Sequence, residues 1–327
     1  MIFRFRIGNP NYGRNFSAVA GPLLAILVAT FLRLWPIGSG LPYSDYIDEG
    51  HVLHQAIKVL QEQTYDVGLY EYPSLPAYLI AATATACAPV YRLVYGRSLI
   101  EEFPSPAEFH TERGDVYDLI SPPAFIVLAR AVVATLSLGT VLLTCLLAQQ
   151  VTHRSAAAFA MLLIAVCPAV VSRSSTVIVD TIAMFFTMLT LYFCARFLRQ
   201  DAERRGCAWR DTVLAGAAAG LAFVSKYPAG AVFMAVFLTF LLRDEIPLGK
   251  ARCILASAAA FFIASIVAMP ALVLRPGAIL AACQQLVRNY EKIQSRPGYL
   301  GEAISSTELG LPLLAAGVFG IFLLLRR

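Results

Sequence analysis

Residues 212–242 read TVLAGAAAGLAFVSKYPAGAVFMAVFLTFLL, and their reading decides the fold. The stretch is apolar except for Ser225-Lys226-Tyr227-Pro228 near its middle. At 1.5 Å per residue it reaches about 46 Å as helix, short of two crossings of a ~30 Å hydrocarbon core. A single crossing, however, would put the basic run from Arg243 to Arg252 outside, against the bias of short cytoplasmic loops towards Lys and Arg. Two short helices broken at residues 225–228, below the membrane surface, satisfy both constraints. Irregular backbone at that depth is tolerated only where protein buries it or it lines a wet cavity. Lys226 is therefore expected to face a cavity.

The composition around this stretch agrees. The chain has 327 residues, 58% hydrophobic and 14% charged, with a mean hydropathy of +0.67. A soluble domain carries about 25% charged residues. Here 26 Lys and Arg with 21 Asp and Glu cannot coat a soluble chain of this size. That excludes an ordinary soluble enzyme, a disordered protein and a nucleic-acid binder. The net charge of +5 sits in short loops between apolar runs. Of seven cysteines, Cys207 lies in a basic loop and the rest in or beside apolar runs. None shows metal-ligand spacing, and they read as small apolar residues in helices.

Charge then sets the topology. Residues 1–15 carry Arg4, Arg6 and Arg14 ahead of an apolar run from Phe16 to Leu34. That run is near the length of a full span and lacks a small-x-small cleavage site, so it reads as an uncleaved first helix with a cytoplasmic N-terminus. Further apolar segments lie at 75–94, 124–150, 156–172, 176–198, 212–224, 228–242, 253–274 and 308–325. The connectors at 152–154, 196–210 and 243–252, and the final Arg326-Arg327, are basic and expected inside. The stretch from Asp45 to Asp118, rich in Glu101, Glu102, Glu108, Glu112 and Asp115, is acidic and expected outside. Parity holds only if 75–94, diluted by alanines and interrupted by Pro76, Thr83, Thr85 and Pro89, does not cross. The expectation is an all-α polytopic membrane protein, one domain over 1–327, with about eight crossings and both termini cytoplasmic. Two external loops, 36–123 and 275–307, are long.

The first loop holds Ser44-Asp45-Tyr46-Ile47-Asp48-Glu49-Gly50-His51. From Asp48 the chain reads as an amphipathic helix to Glu62, with Val52, Leu53, Ala56, Ile57, Val59 and Leu60 on one stripe. Asp48, His51, Gln55, Lys58 and Glu62 fall opposite. Acidic residues in a first turn also suit the helix dipole, so Asp48 and Glu49 carry two readings. Tyr70 to Tyr78 combines aromatic anchoring with a helix start, and Glu71 beside it has no structural task. In Ser172 to Asp180, an acidic residue one turn into an apolar helix is costly and points to a cavity or partner; an ion pair with Arg173 is the alternative. Arg130 either snorkels or joins Lys226 in holding an anion. Topology brings Asp48, Glu49, Glu71, Asp180, Arg130, Arg173 and Lys226 to one membrane face. Carboxylates able to act as a base, with cations able to stabilise a leaving phosphate, suit a reaction on a lipid-linked phosphate.

In order, Asp48-Glu49, Tyr72 to Tyr78, Ser172 to Asp180 and Gly220 to Ala229 resemble motifs of the GT-C membrane glycosyltransferases. The likeness is to glycosyltransferase family 39, the protein O-mannosyltransferase and aminoarabinose-transferase branch. It implies a GT-C-like transmembrane bundle and an inverting sugar transfer from a polyprenyl-phosphate donor at the external face of a bacterial inner membrane. It also implies catalytic roles for Asp48, with Glu49 its neighbour, and for Asp180, and donor-phosphate binding by Lys226 and His51; Arg130 matches an arginine that opens the second crossing, and the residues themselves add Arg173 and Arg130 to the expected phosphate-binding group. Glu71 matches a divalent-metal position, although the carboxylates can also work without a metal. The expected partners are the polyprenyl-phosphate sugar, a lipid, glycan or protein acceptor, and the bilayer, but no nucleic acid. The chain departs from the family at Pro73-Ser74, where two prolines are usual, and in ending short of relatives that continue through more helices. On the residues alone a flippase for an anionic or lipid-linked solute, or a non-catalytic protein of the same fold, stays open. Ionisable residues gathered on one face, without a visible repeat, favour the enzyme.

Overall fold

The computed structural model describes residues 17–41, 47–103, 122–199, 205–243 and 249–294, and these residues are helices joined by short turns. The first helix, α1 (Ser17–Leu34), is followed by α2 (Ile47–Glu62) and α3 (Leu75–Tyr95) in the first long loop. Next come α4 (Pro123–Val151), α5 (Arg154–Val166), the single turn α6 (Pro168–Ser172), α7 (Val179–Arg199) and α8 (Arg205–Ser225). A 3-10 stretch (Tyr227–Val232) leads into α9 (Phe233–Leu242), α10 (Lys250–Ala268), the short α11 (Ala271–Leu274) and α12 (Pro276–Gln294). Four of these are long and apolar enough to cross a membrane: α3, α4, α7 and α10. Helices occupy seven of the eight stretches expected to cross. The eighth, 308–325, lies outside the described residues, as do the N-terminal arginines, Arg326-Arg327 and the acidic stretch from Glu108 to Asp118.

Local chemistry explains the breaks. Pro168 ends α5 and opens α6, dividing the expected 156–172 helix, and Pro270 does the same at the end of α10. Pro228 sits in the first turn after Lys226, so α8 stops at Ser225 and the expected break at 225–228 is present. In α3 the supposed interruptions are absorbed. Pro76 occupies the first turn, where no amide partner is lost, and Thr83 and Thr85 return their hydroxyls to the carbonyls of Leu79 and Ala81 at 2.8 and 2.9 Å. Gly96, at φ 71°, closes the helix by donating to Arg92 O. Within the expected external stretch 275–307, residues Pro276–Gln294 form α12.

The main core joins α2, α3, α4 and α7 through Leu53, Ile57, Ile80, Phe125, Ile126, Val133 and Ile182. Beside it α8 lies directly on α10. A Cβ built at Gly216 would stand 2.2 Å from Ser257 O, and one at Gly220 2.4 Å from Phe261 O. Small residues four apart allow backbones in apolar surroundings to touch, which is how helices pack when lipid is the solvent. Arg33, not singled out from the sequence, is wholly buried between α1, α4 and α5. It donates to Ser137 Oγ at 2.8 Å and to the carbonyls of Ala29 and Ala165 at 3.1 and 3.0 Å, so the end of α5 is capped by a guanidinium.

Candidate functional site

The site begins at the first turn of α2, where neighbouring acids turn different ways. Successive helical residues are about 100° apart, so Asp48 and Glu49 cannot share a direction. Glu49 points inward. Arg130, on the second turn of α4, places Nε on Glu49 Oε1 and Nη2 on Oε2, each at 2.8 Å. The two side chains are 0% and 1% exposed. Arg130 Nη1 also donates to the carbonyls of Ile37 and Ser39, at 3.1 and 2.6 Å, and the Val177 amide donates to Glu49 Oε1 at 3.0 Å. The pair therefore ties α2 to α4, to the turn after α1 and to the segment before α7. A buried charge is tolerated when partnered in this way. Arg130 does not snorkel, and its guanidinium and the Glu49 carboxylate are spent on each other and on backbone.

Asp48 stays half-buried and accepts a hydrogen bond from Tyr72 Oη at 2.7 Å. The His51 ring is stacked on Tyr72, with centroids 5.4 Å apart at 23°. Gln55, expected on the open side of α2, is instead wholly buried. Its Nε2 donates to the carbonyls of Leu69 and Tyr72, at 2.6 and 3.3 Å. Burial of this residue corrects the simple two-sided reading of α2: the loop 63–74 folds back over its polar face.

A second group forms at the start of α7. The Asp180 carboxylate takes a hydrogen bond from Lys226 Nζ and lies 3.9 Å from Arg173 Nη1. All three side chains are about a third exposed. Lys226 reaches Asp180 because the chain breaks immediately after α8; the Ala229 amide then donates to Lys226 O at 2.8 Å as the 3-10 stretch begins. The groups share supports. Tyr227 Oη donates to Tyr70 O at 2.9 Å, joining the Lys226 break to the strand of chain that carries Tyr72. Val177, bonded to Glu49, lies between Arg173 and Asp180.

The loop also grips α12. Arg275 meets Asp66 Oδ2 at 2.7 Å, while Asp66 Oδ1 accepts from Tyr70 Oη at 2.6 Å and from the Gly68 amide at 2.9 Å. Burial pushes the Asp66 carboxyl up, but the bonds from Tyr70 and Gly68 and the charges of Arg275 and Lys58 outweigh it and hold it below its ordinary value. Burial, then the bond to Asp66, pushes the Tyr70 phenol up.

Of the residues expected from the sequence, the structure brings together Asp180, Lys226 and Arg173, then Asp48 with His51, and then Glu49 with Arg130. Glu71 is half-buried, and among the described residues no three His, Cys, Asp or Glu side chains gather to hold a metal ion. The residues missed from sequence are Tyr72, Gln55 and the pair Asp66–Arg275. The spacing of 48, 51 and 55 on one face of α2 was the available signal for the first two.

A family model described as PMT, dolichyl-phosphate-mannose-protein mannosyltransferase, matches residues 103–289, more than half of the chain. The match includes Arg130, Arg173, Asp180 and Lys226, and begins after Asp48, Glu49 and Glu71. Among solved structures, that of the S. cerevisiae protein O-mannosyltransferase Pmt1-Pmt2 complex bound to the sugar donor is similar, with a TM-score of 0.57 at 19% identity. The likeness covers 82% of this chain and 35% of that one, so this chain spans about a third of its relative's length. At this identity it shows a shared polytopic GT-C fold. No curated protein matches the chain.

Proposed function

The chain belongs to the dolichyl-phosphate-mannose-protein mannosyltransferase family, and from that premise we propose that it transfers a sugar from a polyprenyl-phosphate donor to an acceptor at the external membrane face. The observation that carries this reading is the convergence of Lys226 and Arg173 on Asp180 at the broken end of α8. Two cations at a lipid–water boundary suit the phosphate of a lipid-linked sugar. An anionic phosphate entering there competes with Asp180 for both cations, which then hold the leaving group.

Asp48 acts as general base. It takes the proton of the acceptor hydroxyl as the acceptor oxygen bonds to the anomeric carbon, on the face opposite the phosphate. The anomeric C–O bond breaks, its electron pair passes to the phosphate oxygen, and the sugar is inverted. Lys226 and Arg173 offset the charge that develops there, and His51 can add a ring N–H. The Glu49–Arg130 pair is the frame that holds the start of α2 against α4 and α7. No step is assigned to a metal.

The test is transfer of labelled mannose from dolichyl-phosphate mannose to endogenous acceptors, in membranes carrying the full chain. Asp48→Asn is expected to reduce transfer about a hundredfold or more, with the protein still folded. Full transfer by that variant would overturn the assignment of the base. Labelled lipid that changes leaflet with its sugar still attached would favour a flippase.

A further inference from the structure

Three residues of α2, at positions 48, 51 and 55, each touch a different part of Tyr72. Asp48 Oδ1 accepts from its hydroxyl at 2.7 Å. The His51 ring lies on its ring. Gln55 Nε2 donates to its carbonyl at 3.3 Å and to that of Leu69 at 2.6 Å. Positions i, i+3 and i+7 share one helix face, so a single residue laid along that face is held at its hydroxyl, its ring and its main-chain carbonyl. The following residues, Pro73 and Ser74, are buried and lead straight into α3. Tyr72 therefore has little freedom to move its hydroxyl away from Asp48.

Gln55 shows how firmly this arrangement is kept. Its Oε1 is buried without a hydrogen-bond partner among the described residues. Turning the amide over would pair neither carbonyl, so the orientation that leaves Oε1 unpaired is the one that retains both. Leaving a buried acceptor unpaired is unfavourable, yet Nε2 stays on the Leu69 and Tyr72 carbonyls and fixes the Tyr72 main chain.

We propose that Tyr72 is a positioning residue for the base: by occupying Asp48 Oδ1 it fixes the carboxylate plane and leaves Oδ2 to take the acceptor's proton. This rests on Asp48 being the base, as argued under the proposed function. Tyr72 does not touch the reacting atoms. Its effect is orientation, and a misplaced catalytic group loses rate even when binding is intact.

Tyr72→Phe removes only the hydroxyl and keeps the ring for His51 and the carbonyl for Gln55. The expected result, with dolichyl-phosphate mannose and membranes containing the full chain, is a fall in kcat of about ten- to a hundredfold. The KM for donor and the melting temperature stay unchanged. Tyr91→Phe is the control, because Tyr91 Oη makes the same kind of bond to Glu102 at 2.6 Å away from Asp48; it leaves kcat unchanged. A wild-type kcat in Tyr72→Phe, or an equal fall in both variants, overturns the proposal. A second measure needs no turnover: modification of Asp48 by a water-soluble carbodiimide and an amine, followed by mass spectrometry. It rises severalfold in Tyr72→Phe if the hydroxyl shields Oδ1, and an unchanged extent overturns the proposal. If the wild-type chain transfers no sugar from any polyprenyl-phosphate donor offered, the proposed function falls, while the carbodiimide result still decides whether Tyr72 occupies Asp48 Oδ1.

Discussion

Arg130 holds both carboxylate oxygens of Glu49 at 2.8 Å, across 81 positions of sequence, with neither side chain more than 1% exposed. Removing one member of such a pair leaves a bare buried charge. Glu49→Ala is expected to destabilise the protein by about 3–5 kcal/mol, seen as a lowered melting temperature in detergent. Unchanged melting would show that the pair does not frame the site.

Lys226 makes the opposite prediction. It is partly exposed, so Lys226→Gln is expected to leave melting nearly unchanged. Loss of a charged hydrogen bond to phosphate, roughly 1.5–3 kcal/mol, should raise the KM for dolichyl-phosphate mannose by about ten- to a hundredfold. Steady-state kinetics in membranes check this, and an unchanged KM removes Lys226 from the donor site.

Gly216 and Gly220 should not tolerate even a methyl group, because the obstructing atoms are the carbonyl oxygens of Ser257 and Phe261. A Cβ at Gly139 would come within 2.6 Å of the Phe185 ring instead, and a ring edge can swing aside. Gly216→Ala and Gly220→Ala are therefore expected to cost about 1–3 kcal/mol each, and Gly139→Ala less. Thermal melting of the three variants side by side gives the order.

The Asp66–Arg275 tether should weaken in acid. Asp66 is held below its ordinary value in the folded chain, so it contributes stability that is fully present above the unfolded carboxyl value, about 3.9. That contribution is lost as pH falls through the lower folded value. Protease protection of α12, followed from neutral pH downwards, should fall in this window. In Arg275→Ala protection is weaker at neutral pH and changes less on acidification.

Much of this was readable in the chain because it is local. The break at 225–228 follows from Pro228 and from length alone, and the helix 47–62 from its own periodicity. Asp180 and Lys226 were flagged because a charge in an apolar run must have a reason, wherever its partner lies. Partners themselves were another matter. That Glu49 turns inward and Asp48 does not depends on where α4 passes, which no periodicity in α2 encodes. Gln55 looked like a solvent-side residue because the loop that covers it is recognisable only by its contacts, not its composition. Helix α12 is too polar to read as a span, and nothing in the sequence marks Arg33, whose partners Ser137 and Ala165 lie more than a hundred positions away.

The contact of α8 with α10 also bears on the proposed donor site. Gly220 is fixed against the backbone of Phe261, α8 ends five residues later at Ser225, and Lys226 follows at once. Backbone against backbone leaves no rotamer to adjust, so Lys226 keeps a set position relative to α10. On the proposed function a lipid-linked phosphate has to reach that position. On that reading the two glycines act as a depth gauge: they touch no substrate, yet they set the level at which the phosphate is met.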